Sequence, residues 1–256
     1  MSRGLFVTGT DTGVGKTVVC AALLDRYGGT VPLGYWKPVQ TGIEQDDDVL
    51  EVRRLAGCQT AEGIRLPHPV SPHLAARWCG RRIGLEELSL PADTVEIPIT
   101  DRSLTVAARD EGLSEPRPPG SGPADAGQSA TGFHHRLSSW IVEGAGGVLV
   151  PLNETDLMAD LMRALALPVV VVARTTLGTI NHTLLTLEAL RSRSLRVAGV
   201  VMAGHPNRDN RAAIEHYGGV PVLGEMPHFD PLEPGRLAAW ATTELDPAGS
   251  LLDFLR

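Results

Sequence analysis

The stretch LFVTGTDTGVGKT, residues 5–17, decides the fold. Leu5-Phe6-Val7 is an apolar run that reads as a strand, and a loop rich in glycine, threonine and aspartate follows it. From Lys16 to Tyr27 the residues Val18, Val19, Ala22 and Leu23 mark one face of a helix. Strand, glycine loop and helix in that order form a phosphate-binding unit. Glycine lets several backbone N–H groups point into one concavity, and the helix start adds the positive end of its dipole. Lys16 can reach β- and γ-phosphates as a point charge, and Thr17 can ligate Mg²⁺ through its hydroxyl. The usual P-loop has four residues between its first glycine and Gly-Lys-Ser/Thr. Here Gly9 and Gly15 enclose five, a departure from that spacing.

Further along the chain, Gly34 to Lys37 reads as a second strand that stops at Pro38, and Asp47 to Ala56 as a helix. Trp140-Ile141-Val142 and Val169 to Ala173 are apolar on both faces, as parallel strands are. Thr183 to Arg191 predicts a helix, Val197 to Met202 a strand, Arg211 to Tyr217 a helix and Val220 to Met226 a strand. Alternating strands and helices predict a three-layer, doubly wound α/β fold with a mainly parallel sheet and helices on both faces. Length supports one domain over 1–256, because 256 residues bury a full core. Ser114 to Gly127 does not fit the alternation: seven of its fourteen residues are Pro or Gly. We expect 93–139 to be an irregular insertion within the single domain, of a composition that favours loop or disorder.

Net charge is −7, from 23 basic and 30 acidic residues, which argues against a nucleic-acid groove. No apolar run reaches the ~20 residues of a membrane span, and the first residues are too short for a signal-peptide core. Three cysteines, Cys20, Cys58 and Cys79, lack metal-type spacing and read as free thiols. A cytoplasmic protein is expected.

Three further segments carry possible chemistry. Lys37 ends the second strand, and ligands of parallel sheets sit beyond the carboxyl ends of strands; alone, such a lysine is commonly a solvated surface charge. Glu143 follows Val142 and precedes a glycine run, which suits a Mg²⁺ ligand or a water-holding group, or a plain loop acid. Asp46-Asp47-Asp48 offers a hard oxygen ligand at a helix start, or simply a helix cap. Ser71-Pro72-His73 and Gly178 to His182 are weaker marks, the second preceding a helix whose free N–H groups could hold an anion. The histidines form no zinc motif, and no Gly-x-Ser-x-Gly elbow is present.

Together GTDTGVGKT (9–17), KPVQTG (37–42), SPH (71–73), VEGAGGVLVPL (142–152), LGTINHTLLT (177–186) and LGEMP (223–227) resemble the dethiobiotin synthetases, P-loop ligases of biotin biosynthesis. The likeness spans residues 1–90 and 140–230, and the five-residue loop is that family's own form. The resemblance implies an ATP- and Mg²⁺-dependent cyclo-ligase acting on 7,8-diaminononanoate and CO₂ or bicarbonate. One amine takes up CO₂ as a carbamate, whose oxygen attacks the γ-phosphate of ATP. The second amine then closes the ureido ring and expels phosphate, leaving dethiobiotin and ADP.

By the same resemblance Lys16 and Lys37 face the phosphates, while Thr12 and Thr41 hold the carbamate and the substrate amines. The nucleotide lies on Gly13, Val14, Gly15, Lys16, Thr17 and Val18, beside Gly144, Ala145 and Gly146. Thr17, Asp48 and Glu143 are the implied Mg²⁺ ligands, with Asp47 second to Asp48. Gly178, Thr179, Ile180 and Asn181 bind the substrate carboxylate from a neighbouring subunit, which makes a homodimer part of the expectation. Pro227, His228 and Phe229 fall where the base-side loop belongs. Two departures stand out. Family members often carry an adenine-reading asparagine after the strand over 197–202, where this chain has Ala203-Gly204-His205, so the preferred nucleotide base stays open. The family's crossover helix before VEGAGG is replaced by the Pro/Gly-rich insertion.

Three other readings compete. A cobyrinic-acid-type amidoligase would need a glutaminase domain, for which the stretch after 230 leaves no room. A partition or septum-site switch ATPase would place a lysine near the start of the loop, and none lies between Gly9 and Lys16. An inactive homologue is the third, yet every matched phosphate and metal position is intact.

Overall fold

The computed structural model describes residues 3–61, 63–91, 137 and 139–256. Of the insertion expected over 93–139, only Leu137 and Ser139 fall among them, and the rest lies outside the described residues. Ser139 is already the first residue of a strand, one position before the expected boundary. The described residues belong to one unit assembled from Met1–Asp93 and Leu137–Arg256.

The strands are β1 (Gly4–Gly9), β2 (Leu33–Trp36), β3 (Val39–Thr41), β4 (Gln59–Ala61), β5 (Ile64–Leu66), β6 (Ser139–Gly147), β7 (Val169–Arg174), β8 (Val197–Ala203) and β9 (Val222–Met226). Seven form one sheet in the order β4-β2-β6-β1-β7-β8-β9, and β3 pairs with β5 separately. The pairings between these strands are parallel. The chain starts at the centre, moves out to β4, and returns to place β6 between β2 and β1. Only then does it build β7, β8 and β9 on the other side. Strand order thus reverses around β6 and β1, and a crevice opens at their carboxyl ends.

The helices are α1 (Lys16–Tyr27), α2 (Asp48–Ala56), α3 (Pro72–Trp78), α4 (Met158–Leu165), α5 (Thr179–Arg191), α6 (Arg208–Gly218), α7 (Pro234–Thr243) and α8 (Leu252–Leu255). Side chains alternate across β1. Leu5 and Val7 pack with Val19, Cys20 and Leu23 of α1 and with Leu237 and Trp240 of α7. Phe6 points to the other face, where its ring and the Met158 thioether of α4 both close on Gly144. Helices therefore cover both faces, the three-layer arrangement the alternation predicted. No helix among the described residues is long and apolar enough to cross a membrane.

Two boundaries differ from expectation. The strand expected to stop at Val142 continues through Glu143 to Gly147. Glycine is disfavoured in strands, but close approach requires it here: a Cβ on Gly144 would lie 2.8 Å from the Phe6 ring. Helix α5 begins at Thr179 rather than Thr183, because Gly178 at φ 93° turns the chain directly into its first turn.

Helix α1 also carries a buried cost. Among the described residues Asp25 Oδ2 is buried and meets no hydrogen-bond partner, and burial pushes its carboxyl from the ordinary 3.8 up to about 6. The folded state therefore holds a proton that the unfolded chain releases across that window, so this group's contribution falls as pH rises through it. Asp25→Asn should melt above the parent at pH 7.5, with the difference shrinking toward pH 4. Paired thermal melts at the two pH values check this; a constant difference would contradict it.

Candidate active site

Helix α1 cannot begin until the chain has turned, and Gly15 makes the turn in the left-handed region at φ 96°. The loop thus arches over the helix start, and Lys16 folds back along it, its ammonium donating to the Asp11 carbonyl at 3.0 Å. Lys16 is 6% exposed. Burial pushes its ammonium below the ordinary value, with Glu143 pulling the other way.

Strand β2 delivers Lys37 to the same place. Its ammonium ion-pairs with Asp48 and lies 2.8 Å from Glu143 Oε1. Burial opposes that charge, but the Glu143 and Asp48 carboxylates outweigh it and hold Lys37 above its ordinary value. Glu143 is only 1% exposed, so the acid that read as a possible loop residue is a buried strand group. Thr17 Oγ1 donates to Asp48 Oδ1 at 2.8 Å and contacts Glu143 Oε1 at 3.1 Å. A hydroxyl and two carboxylates thus converge, with an ammonium bridging the acids. Mg²⁺ is usually held by one or two carboxylates together with phosphate and water oxygens, and these residues fit it: the donors are hard oxygens in a spot that already attracts a cation.

Asp47 and Asp48 divide their work. Asp47 is the N-cap of α2, its carboxylate accepting from the Val49 and Leu50 N–H groups and pairing with Arg65 at 2.5 Å. That Arg65 bond, followed by burial working the other way, holds the Asp47 carboxyl below its usual range. Asp48, one residue on, faces Lys37 and Thr17. Asp47→Ala should therefore lower stability by about 1 kcal/mol and leave the Mg²⁺ requirement unchanged, whereas Asp48→Ala should raise it. Melting curves and Mg²⁺ titrations of turnover check both; a raised Mg²⁺ requirement in Asp47→Ala would reverse the assignment.

A cleft of about 630 Å³ gathers most of the expected residues: Thr12, Gly13, Gly15, Lys16, Thr17, Val18, Lys37, Thr41, Asp48, Glu143, Ala145 and Gly146 all line it. A second cavity of about 610 Å³ shares Gly13, Gly15 and Val18 with it and adds Val14, Ala203, Gly204, His205 and Pro227 to Phe229. The expected base-side loop thus stands across from the phosphate loop. A Cβ on Gly204 would meet Thr175 Oγ1 at 2.4 Å, and Gly204 has φ 133°, so an asparagine does not fit there. Gly144 lines neither cavity and packs on Phe6. Gly178 to Asn181 form the start of α5 and line neither cavity of their own chain.

Two residues missed from sequence join the site. Arg174 closes β7 by donating to the Thr12 carbonyl at 2.9 Å, and lies 3.5 Å from Asp11 Oδ2. Tyr35 donates to Glu143 Oε2 at 2.8 Å. Burial first, then the charge of Glu143, push its phenol well above the ordinary value, so it stays a donor. Strand periodicity was the available signal for Tyr35, since i and i+2 share a face and Tyr35 precedes Lys37 by two.

A family model described as AAA domain matches residues 3–104 and 133–236. An ATP-dependent dethiobiotin synthetase BioD of Paramagnetospirillum magneticum is 45% identical over 226 residues, covering 88% of this chain and 87% of that protein. The protein of the same name in Brucella ovis is 39% identical over 241 residues, covering 93% and 92%. A solved ParA family ATPase from Chlorobium tepidum TLS aligns at a TM-score of 0.49 and 10% identity, over 100% of this chain and 98% of that one.

Proposed function

This chain belongs to the ATP-dependent dethiobiotin synthetase family, and from that premise we propose how its own residues join 7,8-diaminononanoate to CO₂ with ATP. It is a ligase that forms C–N bonds. The observation that carries the reading is the convergence of Lys16, Lys37, Thr17, Asp48 and Glu143 on one cleft beside the phosphate loop.

The reaction asks for charge neutralisation and positioning more than covalent help, because the transferring phosphoryl group spreads negative charge over its oxygens. The N–H groups of Gly13 to Thr17 and the start of α1 cradle the phosphates. Lys16 and Lys37 approach the γ-phosphate as two point charges. Lys37 can serve because its ammonium is held charged by carboxylates that a divalent cation would share. Mg²⁺, when bound by Thr17, Asp48 and Glu143, supplies further neutralisation of the phosphates. Thr12 and Thr41, which line the same cleft as Lys37, hold the carbamate and the amines. The carbamate oxygen displaces ADP from the γ-phosphorus; the second amine then attacks the carbamate carbon and phosphate leaves.

The carboxylate end of the diamine falls to Gly178 to Asn181 of a second copy, which requires a homodimer. A third cavity of about 370 Å³ beside the phosphate loop is lined in part by Leu149 and Leu185, which are 50% and 55% exposed; apolar groups left in the open suit a covering partner. We also propose that 1–256 is one domain with 93–139 inserted, working in the cytoplasm. The test is phosphate release from protein, diamine, bicarbonate, Mg²⁺ and each of the four common nucleotides. Release should depend strictly on the diamine; none with any nucleotide would defeat the assignment.

A further inference from the structure

We propose that Tyr35 is a positioning residue for Glu143, a permanent donor that holds one carboxylate oxygen so that the other faces the cleft. The inference rests on the metal-ligand reading of Glu143 given above and extends it to a residue that the reading does not need.

Glu143 sits inside β6 at 1% exposure. Its two oxygens have different company. Oε1 meets Lys37 Nζ at 2.8 Å and Thr17 Oγ1 at 3.1 Å, both of which line the cleft. Oε2 accepts from the Tyr35 hydroxyl at 2.8 Å. Tyr35 is fully buried and does not line the cleft. Its backbone is pinned as well, since Tyr35 pairs with Ile141 in β6, two residues before Glu143 on the same strand face.

The two sets of donors must behave differently when substrates arrive. Lys37 and Thr17 have other work in the loaded cleft, the first toward phosphate and the second toward the cation. A buried carboxylate that lost every donor would be left with a large desolvation cost. Tyr35 has no access to substrate, so its bond to Oε2 persists. It thereby fixes the rotation of the carboxylate and keeps Oε1 aimed at the cation position. Partners that orient metal ligands in this way typically account for a 10–100-fold effect on metal affinity.

Tyr35→Phe removes the hydroxyl and keeps the ring that packs in the core. The measurement is Mn²⁺ binding by electron paramagnetic resonance in the presence of a non-hydrolysable ATP analogue, with nucleotide affinity in EDTA and the thermal melt as controls. We expect Mn²⁺ affinity to fall about tenfold or more, while metal-free nucleotide affinity stays within twofold of the parent. In a Glu143→Gln background the same Tyr35→Phe change should have no further effect on Mn²⁺, because there is no carboxylate left to aim. Loss of metal-free nucleotide binding, or an equal further drop in the Glu143→Gln background, would show a merely structural role and overturn the proposal. Unchanged Mn²⁺ affinity in Tyr35→Phe with weakened binding in Glu143→Gln would sink the role of Tyr35 alone. Unchanged affinity in Glu143→Gln would instead remove Glu143 as a metal ligand, and with it the premise.

Discussion

Lys37→Ala lowers diamine-dependent turnover about 10³-fold, while the protein remains folded at assay temperature. The magnitude follows from the place of the charge. A donor aimed at a developing oxyanion in a water-poor site is worth ~10²–10³ in rate, and a cation on a transferring phosphoryl group ~10³ or more. Lys37 is 5% exposed and held charged by Glu143 and Asp48, so no water or mobile side chain replaces it. Stability should also fall, because removing one member of a buried ion pair typically costs ~3–5 kcal/mol. Tyr35 still donates to Glu143 and the Asp48 side chain is partly exposed, which places the loss below that range. Single-turnover rates measured well under the variant's melting temperature separate the two effects. An unchanged rate would remove Lys37 from the chemistry and leave it a structural counter-ion.

Lys16→Ala is the second large effect, and it differs in kind. Among the described residues Lys16 donates to the Asp11 carbonyl across its own loop, a neutral partner that charged phosphate oxygens readily displace. Its removal takes a charge from ground state and transition state together. We expect kcat/KM for nucleotide to fall about 10²–10³-fold, with weaker nucleotide binding seen directly by calorimetry. Lys37→Ala should instead act mainly on kcat. If Lys16→Ala bound nucleotide as the parent does, the loop would not grip the phosphates through this residue.

The parts of the fold readable from sequence were those whose signals are local. The glycine loop, its strand and its helix are continuous in the chain, and α1 spans Lys16–Tyr27 as the apolar spacing predicted. The three-residue strands β3, β4 and β5 are too short to show any period, and α7 follows a Pro-rich turn that hides its start. Site residues divide the same way. Lys16 and Thr17 sit in a motif, whereas between Asp47 and Asp48 the sequence offered only the preference for Asp48 that the resemblance implies, and backbone direction supplies the physical reason. Asp47 at φ −119° lies outside the helix and turns its carboxylate to cap it, which frees Asp48 for Lys37. The burial of Glu143 depends on β2 and β1 flanking β6, a long-range fact with no trace near residue 143. Tyr35 needed both: the strand face was legible, the carboxylate it meets was not.

If one cleft couples carbamate formation to phosphoryl transfer, an isotope reads that coupling directly. Freshly dissolved C¹⁸O₂ is mixed with protein, 7,8-diaminononanoate, Mg²⁺ and ATP, and the released phosphate is weighed by mass spectrometry. If the carbamate oxygen attacks the γ-phosphorus, that oxygen leaves with the phosphate, which then carries one ¹⁸O. Phosphate without label, released at the same rate, would mean that water and not the carbamate attacks ATP.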